Sequence, residues 1–266
     1  MPARESSGGN AFENHQANCP PPVPDHELIA LIDRGSYGDV WLARNALGTR
    51  RAVKIVARER FEAPRPYERE LEGIRKYEPV SRTHEGLMDI LQVGPETPAD
   101  YFYYVMELAD DAGEAEAPRD DISPAEPRLR PAPAYVPHTL RRELKRRGRL
   151  PVNECIRIGV ALADALDHLH RHGLVHRDIK PSNVIFVGGT PKLADIGLVT
   201  DAGEPHSFVG TPGYVPPEGP GTERADLFSL GQVLYEMATG RNCQEFPDPL
   251  TDLPAQPDAE ALAELN

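Results

Sequence analysis

The chain has 266 residues, 39% hydrophobic and 27% charged, enough for one large domain or two lobes with a sizeable core. Its formal net charge of -13 argues against non-specific nucleic-acid binding, so any polyanionic ligand must be met by local cations or metal. Three scattered cysteines, Cys19, Cys155 and Cys243, fit a reducing compartment better than a disulfide framework. Met1 to Asn18 has no apolar core, and no apolar run approaches the ~20 residues of a membrane span. The expectation is a soluble, cytoplasmic chain.

In chain order, residues 1–25 read as a flexible Ser/Gly/Asn-rich tail ending in the stiff spacer Cys19 to Pro24. Glu27 to Ile32 is a β-type run leading into Asp33-Arg34-Gly35-Ser36-Tyr37-Gly38-Asp39-Val40. Glycines in such a strand-turn-strand let backbone approach phosphate oxygens, although alone they make an ordinary turn. Arg51 to Val56 carries one lysine, Lys54, inside an apolar strand, a place where a lysine often serves only to guard an edge. Tyr67, Leu71, Ile74 and Tyr77 form a helical stripe, and Glu68, Glu70 and Glu72 lie on the same helix. Arg82 to Val93 reads as loop and strand, and Tyr101 to Leu108 is strongly β-prone.

Residues 110–137 break the pattern. They are rich in Asp, Glu, Ala and Pro, with six prolines from Pro118 to Pro137, and such a composition buries too little surface to order itself. A short basic helix, Leu140 to Gly148, follows, and a longer one begins at Pro151 with the stripe Ile158, Leu162, Leu166 and Leu169. His168, His170 and His172 at its end lack a plausible fourth ligand, so helix surface and cap is favoured over a metal site. Next comes His176-Arg177-Asp178-Ile179-Lys180-Pro181-Ser182-Asn183, which gathers a carboxylate, an ammonium and an amide within a few residues. Phosphoryl transfer to a hydroxyl needs such groups together. Lys192 to Gly197 contains Asp195-Ile196-Gly197, and Gly210 to Glu218 is a Gly/Pro-rich segment. Ala225 to Met237 is apolar nearly all round, as a buried helix should be.

These segments, in this order, resemble the catalytic domain of eukaryotic-type serine/threonine protein kinases. The catalytic loop H-R-D-x-K-x-x-N is matched by His176 to Asn183, the lysine strand by Ala52 to Ile55, and the metal turn by Asp195 to Gly197 with Ile for Phe. The glycine loop is matched at Gly35, Gly38 and Val40, but Asp33 stands where the family has its first glycine, a change expected to weaken nucleotide affinity. Pro216-Pro217-Glu218 corresponds to the family's A-P-E. The resemblance implies an α+β, two-lobed fold, with a small antiparallel β lobe carrying one helix and a mainly helical large lobe. The implied division is a tail at 1–25, a small lobe at 26–108, a disordered insert at 109–137 and a large lobe at 138–266. The family's final helices are missing from that large lobe, so the chain is expected to be a fragment, poorly stable or weakly active alone.

It further implies an ATP-dependent transferase acting on Ser/Thr hydroxyls of protein substrates, with ATP and Mg²⁺ as cofactors. Asp178 would orient the hydroxyl, Lys180 would stabilise the moving phosphate, and Lys54 would hold the α/β-phosphates with Glu70 behind it. Asn183 and Asp195 would hold the metal. Ile32, Gly35, Ser36, Tyr37, Gly38, Val40, Ala52, Met106, Glu107 and Ala109 would complete the nucleotide site, the base meeting the backbone of Glu107 to Ala109. Arg177, Thr200, Ser207 and Thr211 are regulatory candidates, since a phosphate on Thr200 or Ser207 could pair with Arg177. Thr211 is expected to touch the catalytic loop directly, and Asp226 to cap it. Glu218 would lack the buried arginine that pairs with it in the family, and the helix from Leu227 to Met237 would be partly uncovered. The competing reading is a non-catalytic kinase-like module, for which Asp33, Ile196 and the short C-terminus speak and the retained charged groups do not.

Overall fold

The computed structural model describes residues 20–35, 38–94, 100–113, 135–196, 200–201 and 210–245, of which 200 and 201 are described as backbone only. The small lobe contains β1 (His26–Arg34), β2 (Asp39–Asn45), β3 (Arg50–Ala57), α1 (Pro64–Ser81), β4 (Ile90–Val93) and β5 (Tyr101–Met106). Its strands form one antiparallel sheet in the order β1-β2-β3-β5-β4. Side chains alternate across a strand, so β3 and β5 bury both faces. Ala52, Val56, Phe102, Tyr104 and Met106 join the core that includes Tyr67, Leu71 and Ile74 of α1, whereas Val53, Ile55, Tyr101, Tyr103 and Val105 form a second cluster.

That second cluster is closed by Val23, 5% exposed, and the Tyr101 hydroxyl donates to the Pro22 carbonyl at 2.7 Å. The last residues of the expected flexible tail are therefore part of the lobe, because the outer sheet face needs an apolar lid. Residues 1–19 lie outside the described residues. The expected helix from Tyr67 to Tyr77 extends in both directions, and all four residues of its stripe are buried.

The large lobe contains α2 (Leu140–Arg147), α3 (Val152–Arg171), β6 (Leu174–Val175), β7 (Val184–Val187), β8 (Thr190–Leu193), β9 (Thr200–Asp201) and α4 (Glu223–Thr239). The Thr139 side chain caps α2 by accepting from the Arg142 amide, a cap worth about 1 kcal/mol. Gly188 and Gly189 turn β7 into β8 with φ of 57° and 77°, a turn in which both positions favour glycine. Helices α3 and α4 pack so closely that a Cβ on Gly159 would come within 2.7 Å of Leu234 Cδ2. The lobes are stitched where the connection before β4 meets β8: Met88 N–H donates to Leu193 O at 3.1 Å, and Leu193 N–H to Gly86 O at 2.8 Å.

One expectation about the large lobe needs correction. Helix α4 is well covered, with Leu230, Val233 and Met237 buried; Leu227, 53% exposed, is the large apolar side chain left outside. Glu218, expected to lack its usual arginine partner, is exposed, so water solvates its carboxylate and removes the cost of leaving it unpaired.

Candidate active site

A cleft between the lobes is lined by Ile32, Gly35, Gly38, Val40, Ala52, Lys54, Met106, Glu107, Ala109, Asn183 and Asp195. All of these were expected from the sequence. Asp33 lines it too, exposed, and accepts from the following amide of Arg34 at 2.9 Å. Ser36 and Tyr37 lie outside the described residues. The glycine turn is closed by Gly35 N–H donating to Gly38 O at 2.9 Å, and Arg60 ties it down through Gly35 O and the Asp39 carboxylate. Gly38 has a steric reason to be glycine, since a Cβ there would sit 2.5 Å from Ile55 O.

At the back of the cleft, the pleat of β3 turns Lys54 inward between Val40 and Tyr104, its cross-strand partners. Its ammonium lies 3.1 Å from Glu70 Oε1 and 3.2 Å from Asp195 Oδ1, and 5.8 Å from the centre of the Tyr104 ring. Burial opposes the Lys54 charge, but Asp195, Tyr104 and Glu70 outweigh it and hold its pKa well above the usual lysine value. Burial dominates at Glu70, 3% exposed, and pushes it up to about 7 despite the nearby ammonium. Asp195 behaves oppositely, because the Lys54 ammonium holds it below the ordinary carboxylate range. Its side chain is half exposed, and its backbone sits at φ 56°, an uncommon left-handed position for a non-glycine residue. Ile196 behind it is fully buried in the same core as Leu71 and Ile74 of α1.

The catalytic-loop residues form one network. Asp178, 8% exposed, accepts from Lys180 Nζ at 2.7 Å and Asn183 Nδ2 at 2.9 Å through Oδ2, and from the Thr211 hydroxyl at 2.8 Å through Oδ1. Lys180 Nζ also donates to Thr211 Oγ1 at 3.0 Å, so the expected contact of Thr211 with this loop is present. Asn183 Nδ2 additionally reaches the Asp178 carbonyl at 2.8 Å, which leaves its amide oxygen as the metal-type donor. That oxygen and the Asp195 carboxylate are hard donors suited to Mg²⁺.

The loop is held from below. Asp226 of α4, 1% exposed, accepts from the His176 and Arg177 amides, each at 2.8 Å, and lies 2.9 Å from His170 Nε2. Arg177 is buried with φ 71°, and the chain on its N-terminal side, β6, pairs with β9 at Val175 and Thr200. The side chain of Thr200, and Ser207 altogether, fall outside the described residues. His170 thus serves the loop, while His168 meets the Thr83 hydroxyl at 2.8 Å and His172 Nδ1 meets the His168 carbonyl at 2.8 Å.

Several contributors carry no motif. Glu107, expected only for its backbone, accepts from Lys192 Nζ at 2.5 Å and from the Asp89 amide at 2.9 Å. Arg141 Nη1 pairs with Glu236 Oε2 at 2.9 Å, and Tyr214 of the Gly/Pro-rich segment donates to Glu236 Oε1 at 2.6 Å. Tyr135, Pro137 and Thr139 also line the cleft, although two of them lie in the stretch expected to be a disordered insert. Described parts of that stretch, residues 109–113 and 135–137, pair with each other, since backbone pairing needs no apolar composition; residues 114–134 lie outside the described residues. Thr139 had a signal as a cap before a helix. Tyr135 had none.

No helix among the described residues is long and apolar enough to cross a membrane. The chain is similar to the DNA damage-responsive serine/threonine-protein kinase RqkA of Deinococcus radiodurans, 29% identical over 264 residues covering 89% of this chain and 35% of that protein. It is also similar to the serine/threonine-protein kinase AfsK of Streptomyces coelicolor, 31% identical over 80% of this chain and 24% of that protein. The serine/threonine-protein kinase PrkC of Bacillus subtilis is 27% identical over 81% of this chain and 30% of its own length. The chain therefore spans about a third or less of the length of these relatives. The family model for the protein kinase domain matches residues 26–249, and the chain belongs to the protein kinase domain family.

Proposed function

We propose that this chain transfers the γ-phosphate of ATP to Ser/Thr hydroxyls of protein substrates in signalling. The observation that carries the reading is the joint geometry of two networks. Asp178, Lys180, Asn183 and Thr211 form one, and Lys54, Glu70 and Asp195 form the other. With the nucleotide in the cleft, Lys54 neutralises the α/β-phosphates and Glu70 fixes the lysine. Glu107 to Ala109 meet the base through their backbone. Asp178 accepts the hydrogen bond of the substrate hydroxyl and takes its proton as the O–P bond forms, while ADP departs with the β–γ bridging oxygen. Lys180, donating to Asp178, is positioned to balance charge on the phosphoryl group in flight. Asn183 Oδ1 and the Asp195 carboxylate would hold Mg²⁺, which supplies neutralisation of the phosphate charge when bound.

Retention of every charged group of the chemistry weighs against the non-catalytic reading. The proposed compartment is the cytoplasm, supported by Cys155 and Cys243 as buried free thiols. Control by a phosphate on Thr200 or Ser207 paired with Arg177 is supported by the β6–β9 ladder, which brings the backbone of Thr200 beside the strand that leads to the catalytic loop.

The test is incubation of the full chain with Mg-ATP and a generic protein substrate, followed by mass-spectrometric mapping of phosphosites. Asp178→Asn should lower transfer by about 10²-fold or more while leaving ATP binding nearly intact. Asp195→Asn should instead be partly rescued by high Mg²⁺. Near-normal turnover by Asp178→Asn would mean the catalytic loop is wrongly assigned.

A further inference from the structure

The stretch that follows Ala109 and the stretch that begins at Tyr135 are clamped together. Asp111 bridges Pro137 in antiparallel fashion, and Ala112 N–H donates to Val136 O at 2.8 Å. The Asp111 carboxylate takes the Val136 amide at 3.0 Å and the Gly113 amide at 2.9 Å. Below this neck, His138 N–H donates to Asp110 O, and Asp110 N–H donates to Phe186 O. The Asp110 carboxylate caps the β7–β8 turn through the amides of Gly188 and Gly189. The neck is thus tied down to the β7–β8 hairpin.

Tyr135 is the residue this neck delivers to the cleft. It lines the same cleft as Ile32, Leu108 and Ala109. Its hydroxyl donates to the Ala109 carbonyl at 3.0 Å, beside the backbone assigned to the base. The side chain is therefore fixed by its hydroxyl at the backbone assigned to the base, in a residue that lines the cleft. Burial, with Asp111 and Asp110 nearby, pushes the hydroxyl well above its usual value, so it stays a donor throughout the physiological range. A tether alone would need no aromatic body in the cleft. An aromatic ring held by its hydroxyl is a pre-organised stacking surface with little side-chain freedom left to lose on binding.

We infer that Tyr135 is a nucleoside-contacting residue, whose ring forms the outer wall against which the purine and ribose of the nucleotide pack. The inference rests on the proposed function insofar as it takes the cleft to be the ATP site.

Calorimetric titration of the full chain with two probes tests it: Mg-ATP, which carries a nucleoside, and Mg-tripolyphosphate, which does not. Tyr135→Ala should weaken ATP by about five- to tenfold, the scale of one base–aromatic stack, and tripolyphosphate by less than about twofold. Tyr135→Phe, which keeps the ring, should lose less than about threefold for ATP. In the transfer assay, the loss for Tyr135→Ala should fall on KM for ATP rather than on kcat. Equal weakening of both probes, or none, overturns the inference, because a purely structural tether would disturb the site without regard to the nucleoside. Should Tyr135→Ala fold poorly by thermal melting, Tyr135→Leu keeps apolar bulk without the π face and decides by the same split. Wild-type chain that binds ATP with this split but transfers no phosphate would sink the proposed function alone. Wild-type chain that transfers phosphate without the split would sink Tyr135 alone.

Discussion

Asp226→Ala should be among the most damaging single changes in this chain, although Asp226 lines no part of the cleft. The side chain is 1% exposed and takes the His176 and Arg177 amides, each at 2.8 Å, with His170 Nε2 at 2.9 Å. Truncation leaves two buried amides unpaired, each costing about 1–3 kcal/mol. It also releases the support for Arg177 at φ 71°, where an unsupported non-glycine residue relaxes toward ordinary backbone. The expected loss is about 3–6 kcal/mol, a large share of the roughly 5–15 kcal/mol that stabilises a typical domain. Asp226→Asn keeps the shape, but its NH₂ faces one amide donor with another donor, so it should lose about half as much. Urea unfolding followed by circular dichroism gives the stability, and phosphate transfer at saturating ATP gives the catalytic cost. The reasoning fails if Asp226→Ala unfolds within about 1 kcal/mol of wild type and retains full turnover.

Glu70 should make stability pH-dependent. Its carboxyl is pushed up to about 7 in the fold from 4.5, so the contribution of its bound proton is complete below about pH 4.5 and is lost as pH rises through 7. Glu70→Gln should flatten the fall in denaturant midpoint between these limits, and an unchanged slope would exclude Glu70 as its source. At Gly38, alanine would bring Cβ to 2.5 Å from a backbone oxygen, whereas at Gly48 it meets nothing within 4 Å and suffers only from φ 82°. Gly38→Ala should therefore raise KM for ATP severalfold and Gly48→Ala should not; equal KM values for the two would remove the steric argument.

What could be read from sequence divides by the kind of bond involved. Lys54, Glu70, Asp178, Asn183 and Asp195 were legible because each acts through its own side chain at a motif-fixed spacing, and the structure brings them into two contiguous networks. Thr211 and Asp226 were legible for the same reason, and each makes the contact expected of it. The neck at Asp111 and Pro137 was not, because a backbone ladder leaves no periodicity, and low hydrophobicity is compatible with pairing when neighbouring elements supply the partners. Val23 was hidden in a proline-rich stretch whose composition suggests only stiffness, while the sheet face it covers is formed by strands far along the chain. Glu107 lines the cleft, but its carboxylate accepts from Lys192, which no local pattern connects to it.

The clamped neck also separates length from geometry. Because Ala112 and Val136 are joined, the chain entering and leaving the neck is held at that pair and puts no tension on Glu107 to Ala109. Lengthening a loop closed by such a pair costs only about 0.6 kcal/mol per doubling, and that cost falls on the loop's own closure rather than on the cleft. Variation there is insulated from the nucleotide site as long as Asp111 and Tyr135 to Pro137 are kept. The joined pair Ala112 and Val136 accordingly offers a place to graft a reporter or recognition sequence, with the geometry of the cleft left in place.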